Sequence, residues 1–196
     1  MYDDKQAVLI QAAIRAVAQD GLERTTTRSI GAAAGINDAY IYRCFSDKED
    51  LLSRAYMLVN EDLISLLIRR MKEARKSEII EGYNRFAYVI RGLWDALLDK
   101  PEICIFCDYY YHSASYKKHT AELHHAETMR LLDKMGEEYS LRPQAEFSFY
   151  HLMETLFAFA TKAVEGYYPK TEDGFEQVAA RLYMAFRSIV THKAES

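Results

Sequence analysis

Apolar residues recur three and four apart through most of this chain, and little interrupts them: its 196 residues include only three prolines and eight glycines. No Val/Ile/Thr-rich run alternates between turn signals, so strands have almost nothing to rest on and the fold class is all-α. An apolar content of 49% is enough to bury a full core without staples. Cys44, Cys104 and Cys107 are too few, and odd in number, for a disulfide framework, which suits a reducing, cytoplasmic setting. The opening MYDDKQ is acidic and polar where a signal peptide would be basic and then apolar, and no apolar run approaches the roughly 20 residues of a membrane span. Neither export nor a membrane partner is expected.

The net charge of -4 argues against non-specific nucleic-acid binding through bulk electrostatics, which needs an excess of Lys and Arg over phosphate-facing surface. Residues 1–54 carry seven basic and eight acidic side chains. Any DNA binding must rest on where groups are placed.

Ile10, Ala13, Ile14 and Val17 fall at helical spacing between Gln6 and Asp20, and Gly21 follows where a left-handed exit suits glycine. The hydroxyls of Thr25, Thr26 and Thr27 can cap a second helix, Thr27 to Ala34, whose side chains after Ile30 are only glycine and alanine. Such small residues permit close helix approach. Gly35 ends it, Ile36 is expected to be a buried anchor, and Asn37 caps a third short helix to about Phe45. Two short helices joined by a tight glycine turn form a helix-turn-helix. Ile41 and Phe45, four apart, turn inward and leave Asn37, Ala39, Tyr40 and Arg43 outward. There Arg43 can donate to guanine, Asn37 and Tyr40 can reach base edges or phosphates, and Ala39 keeps the approach lean. Tyr42 and Lys48 are better placed for phosphates. Asp47, Glu49 and Asp50 then open a long fourth helix that ties this head to the rest.

Residues 9–52, LIQAAIRAVAQDGLERTTTRSIGAAAGINDAYIYRCFSDKEDLL, resemble the N-terminal domain of the TetR (AcrR-like) family of bacterial transcriptional regulators. An Ala-rich helix, Gly, Thr-Thr, a small-residue helix, Gly, an aromatic recognition helix and Phe-x-x-Lys-Glu-x-Leu-Leu follow in that family's order. The resemblance implies phosphate contacts from Thr26, Thr27, Arg28, Tyr42 and Lys48, and base reading or close approach by Ala39, Tyr40 and Arg43. Asp38, Ala39 and Tyr40 stand where the family often has Lys, Gly and Thr, which bears on the operator sequence. The bland alternative is a small helical bundle with ordinary caps.

The organisation expected is therefore a helix-turn-helix domain over 1–50 and a helical ligand-binding and dimerisation domain over 51–196. A fifth helix is expected from Ser77-Glu78 to about Asp99, carrying Ile80 and Trp94 inward, and Pro101 opens another. ICIFCDYYYH, 103–112, reads as buried, and Tyr116 to Tyr139 as peripheral. Aromatic rings with a few polar tips suit an apolar cavity, and Trp94, Phe106, Tyr110, His112, Phe147, His151 and Glu154 are candidate lining for a small-molecule effector; the same cluster also reads as plain core. Pro143 can start a helix that is apolar nearly all round through Ala160 and so must be buried on several sides. A last helix carries one stripe of Phe175, Val178, Leu182, Phe186 and Ile189 and another of Ala179, Tyr183 and Val190. Two apolar faces imply a second customer, most simply the same helices of an identical subunit, as the family resemblance also implies. Such a homodimer presents recognition helices about 34–36 Å apart to a pseudo-palindromic operator of double-stranded DNA.

Other chemistry has little support. Cys104-x-x-Cys107 lacks a second pair or nearby histidines at ligand spacing and reads as buried small hydrophobes; oxidation of Cys44 would disturb the recognition helix. The histidines form no catalytic ordering, and no Gly-rich phosphate loop or HExxH occurs, so no enzyme, metal or cofactor is read. The expected function is a ligand-released repressor; the runner-up is a helical ligand-binding protein or enzyme whose head no longer binds DNA.

Overall fold

The computed structural model describes residues 4–76, 82–138 and 140–191. Among them run ten α-helices: α1 (Asp4–Asp20), α2 (Thr27–Ala34), α3 (Ile41–Cys44), α4 (Lys48–Lys76), α5 (Gly82–Asp99), α6 (Pro101–Tyr111), α7 (Ala114–His119), α8 (Ala121–Glu138), α9 (Ala145–Val164) and α10 (Glu172–Phe186). A 3₁₀ turn, Asp38–Tyr40, leads directly into α3. The two-residue strands β1 (Ser140–Leu141) and β2 (Val190–Thr191) pair antiparallel. The all-α reading holds, because this short ladder carries no layer of the core.

The chain packs as two compact units, one of Met1–Glu61 with Lys100–His124 and the other of Asp62–Asp99 with His125–Ser196. The first unit thus adds α6 and α7 to the helix-turn-helix segment, and α4 contributes to both. In that unit Leu9, Ile10, Ile14 and Val17 of α1 are fully buried, and alanines at 12, 13 and 16 let α2 and α6 pack closely on it. Phe106, Tyr110 and the two α6 cysteines fill the other side. A buried polar chain ties three elements: the Tyr110 and Thr120 hydroxyls lie 2.8 Å apart, Thr120 donates to Ser53 at 2.8 Å, and Ser53 donates to the His119 carbonyl. Burial pushes the Tyr110 phenol up despite these bonds, so it stays a neutral member of the chain.

The second unit is built by α5, α9 and α10, with the inner stripe of α8 (Thr128, Leu131, Leu132, Met135) also buried. Trp94 packs on Phe175, and Arg91 both stacks on the Phe175 ring at 3.6 Å and pairs with Glu172. Tyr83 donates to Glu176 at 2.8 Å; burial first, and that carboxylate second, push its phenol up to about 12.

Several expectations change. Residues 116–138 are not simply peripheral, since Tyr116 and Thr120 are buried together with the α8 stripe, although Leu123 is exposed. Pro143 does not begin α9; Gln144, with φ of 63°, precedes a start at Ala145. The last helix ends at Phe186, so Ile189 and Val190 belong to a turn and to β2. Ile36 is half-buried. The expected starting residues of the fifth helix, Ser77 and Glu78, and also Ile80 and Tyr139, lie outside the described residues.

Candidate functional site

Local signals build the helix-turn-helix. Gly21 (φ 81°) closes α1 by donating to the Val17 carbonyl, and Thr26 caps α2: its hydroxyl accepts from the Ser29 N–H while Ser29 Oγ accepts from the Thr26 N–H. This reciprocal box satisfies two of the helix's orphan donors. Thr26→Ala should therefore cost about 1 kcal/mol of stability, while Thr26→Ser should retain most of it; urea unfolding with an unchanged slope is the check.

Gly35 (φ 64°) ends α2, and its N–H and that of Ile36 return to the Ala32 and Gly31 carbonyls. Gly31 is the contact point of the motif: a Cβ there would lie 2.8 Å from the Ile36 oxygen and 3.1 Å from Asp38 Cα. Asn37 Oδ1 accepts from the Ala39 N–H at 2.9 Å and starts the 3₁₀ turn. Ile41 and Phe45 point inward, while Arg28, Asn37, Ala39, Arg43 and Tyr42 (59% exposed) face solvent and Thr27 and Tyr40 are half-buried. The Tyr42 hydroxyl lies 3.3 Å from Thr27 Oγ1, joining α2 and α3 on the outer surface. Lys48 Nζ donates to the Thr25 carbonyl at 3.1 Å, so its ammonium also braces the start of α2 against α4. Lys5, which no local sequence signal singles out, sits over the Tyr40 ring at 4.7 Å, with Arg43 on the same ring at 5.9 Å. The carboxylates at the start of α4 are used locally: Asp47, just before the helix, accepts from the Asp50 N–H at 2.7 Å, and Asp50 accepts from Arg54 and from the Ser46 N–H. Burial alone would raise the Asp50 carboxyl, but those bonds outweigh it and hold it below the usual range.

Residues 9–55 match the family described as bacterial regulatory proteins, tetR family. That segment, the helix-turn-helix head, is therefore similar to the TetR family's. Relatives of the chain are named as transcriptional regulators. The HTH-type transcriptional regulator BetI of Paraburkholderia xenovorans (strain LB400) is 25% identical over 140 residues, 71% of this chain and 70% of that protein. The nicotine-responsive transcriptional repressor HdnoR of Paenarthrobacter nicotinovorans is 32% identical over 106 residues, 54% of this chain and 52% of that protein. A TetR family transcription regulator from Marinobacter aquaeolei VT8 shares the fold with a TM-score of 0.70 at 19% identity, covering 97% of each chain.

A cavity of about 380 Å³ opens within the second unit. Its walls come from α4 (Leu67, Met71), α5 (Phe86, Val89, Ile90, Leu93), α8 (Met135), α9 (Phe149, Leu152, Met153) and α10 (Tyr183, Phe186). None of the seven aromatic and polar candidates borders it. Trp94 is fully buried against Phe175, Phe106 and Tyr110 fill the first unit's core, and His112, Phe147, His151 and Glu154 are surface residues. Trp94 and the α6 rings are spent as core filler, whereas Phe86, Phe149, Tyr183 and Phe186 line the void together with aliphatic side chains from several helices. Cys104 and Cys107 are buried, and burial pushes the Cys107 thiol well up, which leaves it a poor nucleophile. Among the described residues no helix is long and apolar enough to cross a membrane.

Proposed function

We propose that the chain is a cytoplasmic homodimeric repressor that occupies a pseudo-palindromic operator and leaves it when a small-molecule effector fills the second-unit cavity. The observation that carries the reading is the capped segment 26–45, which buries Ile41 and Phe45 while turning Arg28, Ala39, Tyr42 and Arg43 outward on one surface. Arg43 and Tyr40 would read bases over Ala39, with Thr26, Thr27, Arg28, Asn37, Tyr42 and Lys48 fixing the register on phosphates. Lys5, held beside Tyr40, adds a cation to that surface.

The dimer rests on a different observation from the one sequence periodicity suggests. Both apolar stripes of α10 are used within the chain: Phe175, Val178, Ala179 and Leu182 are buried, and Tyr183 packs against Tyr83 and Phe86. What remains uncovered is an outer face of α9 and α10 on which Phe147 and Met184 are each 67% exposed, with exposed alanines at 158 and 180. Ser188 donates to Ser148 at 2.8 Å and joins the two helices beside it. Apolar groups left open beside small residues suit an isologous helix-pair interface. The chain should therefore scatter light as a dimer at micromolar concentration, and Phe147→Asp combined with Met184→Asp should give a folded monomer, because exposed positions contribute little to subunit stability. A wild-type chain that is monomeric at that concentration contradicts the reading.

A further inference from the structure

We infer that the effector is an amphipathic organic anion, with its charged head held by Arg142, Arg187 and Arg85 and its apolar body lying along α5 toward Leu93. This rests on reading the cavity as the effector site. The charged residues that line the cavity are these three arginines, with no Asp or Glu among its lining residues. Such a choice is conspicuous in a chain with more acidic than basic residues, 29 against 25. Arg142 and Arg187 lie at the same end, and Arg85 precedes Phe86, whose ring is 4.9 Å from that of Phe186. The β1–β2 ladder brings the segments around residues 141 and 190 together, and Arg142 donates its backbone N–H to Ile189 and its Nε to the Val190 carbonyl. Arg187, at the close of α10, lines the same cavity as Ile189 and Val190.

Among the described residues no carboxylate pairs with Arg142 or Arg187. On α5 the lining runs from Arg85 through Phe86, Val89 and Ile90 to Leu93, so polarity falls along about 12 Å of helix. A guanidinium cannot shed its charge, and several at one end of an apolar space favour a guest that brings the opposite one; their planar forks fit carboxylate and phosphate alike.

The test is calorimetric titration of the full chain with decanoate, decyl phosphate, methyl decanoate and decyltrimethylammonium, each below its micelle concentration. At least one anion should bind about tenfold or more tighter than the neutral ester, the cation should not bind, and the tighter anion identifies the head group. Arg142→Ala combined with Arg187→Ala should abolish the preference for the anion while ester affinity stays within about twofold, a comparison that a merely unfolded variant could not pass. Anions that bind no tighter than the ester, or a double variant that keeps the preference, would overturn the inference. Wild-type operator binding without any probe is measured alongside. Its absence would count against the regulator reading, whereas intact operator binding without anion preference counts only against the ligand class.

Discussion

Truncating Arg43 to alanine is expected to weaken the operator complex by about 1–3 kcal/mol per half-site and to relax discrimination at the base pair it contacts, with the oligomeric state unchanged. The guanidinium is exposed, lies beside the Tyr40 ring and makes no ion pair among the described residues, so its removal leaves no buried group stranded in the free protein. Tyr42→Phe removes a hydroxyl that lies 3.3 Å from Thr27 Oγ1 and faces the same surface, and should weaken binding to all sequences alike. Anisotropy titrations against matched and scrambled duplexes at one salt concentration separate the two outcomes. A loss for Arg43→Ala that is equal on every sequence would mean it touches phosphate only.

Gly31→Ala should do more damage than either, although the added methyl group never meets DNA. Its Cβ would sit 2.8 Å from the Ile36 carbonyl oxygen and 3.1 Å from both the nitrogen and the Cα of Asp38, all backbone atoms that cannot rotate away. Relief requires the turn to move off α2, which carries the 3₁₀ turn and α3 with it. Overpacking of this kind costs about 1–3 kcal/mol of stability. The larger effect falls on function, since Arg43 and Tyr42 are displaced together and the operator complex should be lost at concentrations where Arg43→Ala still binds. Urea unfolding and the same anisotropy titration measure both parts; unchanged affinity would mean that the approach of α2 to the turn does not set the recognition surface.

The head was legible because its determinants are local. Gly21, Thr26, Gly35, Asn37 and Asp47 act within four residues of themselves, and each caps or ends a helix where its chemistry demands. Three features were not legible, for one shared reason. Lys5 over Tyr40, the ladder between residues 140–141 and 190–191, and the cavity walls drawn from five helices all depend on residues distant in sequence. Periodicity reports which face of a helix is apolar, and it is silent on what that face meets. Trp94, Phe106 and Tyr110 therefore suggested a cavity and turned out to be filler, while Phe147 made α9 look more buried than a single chain makes it. The α10 stripe continued in register to Ile189 and Val190 although the helix stops at Phe186, because no glycine or proline marks its end.

On the proposed reading, segment 37–45 is an outward-facing reading element duplicated by a two-fold axis. Selection of genomic fragments by the purified full chain, with Arg43→Ala run in parallel, tests it most directly. A pseudo-palindrome whose half-sites lie about 34–36 Å apart should be enriched, and lost or degraded with the variant. Fragments without a shared sequence, or one recovered equally well by both proteins, would contradict it.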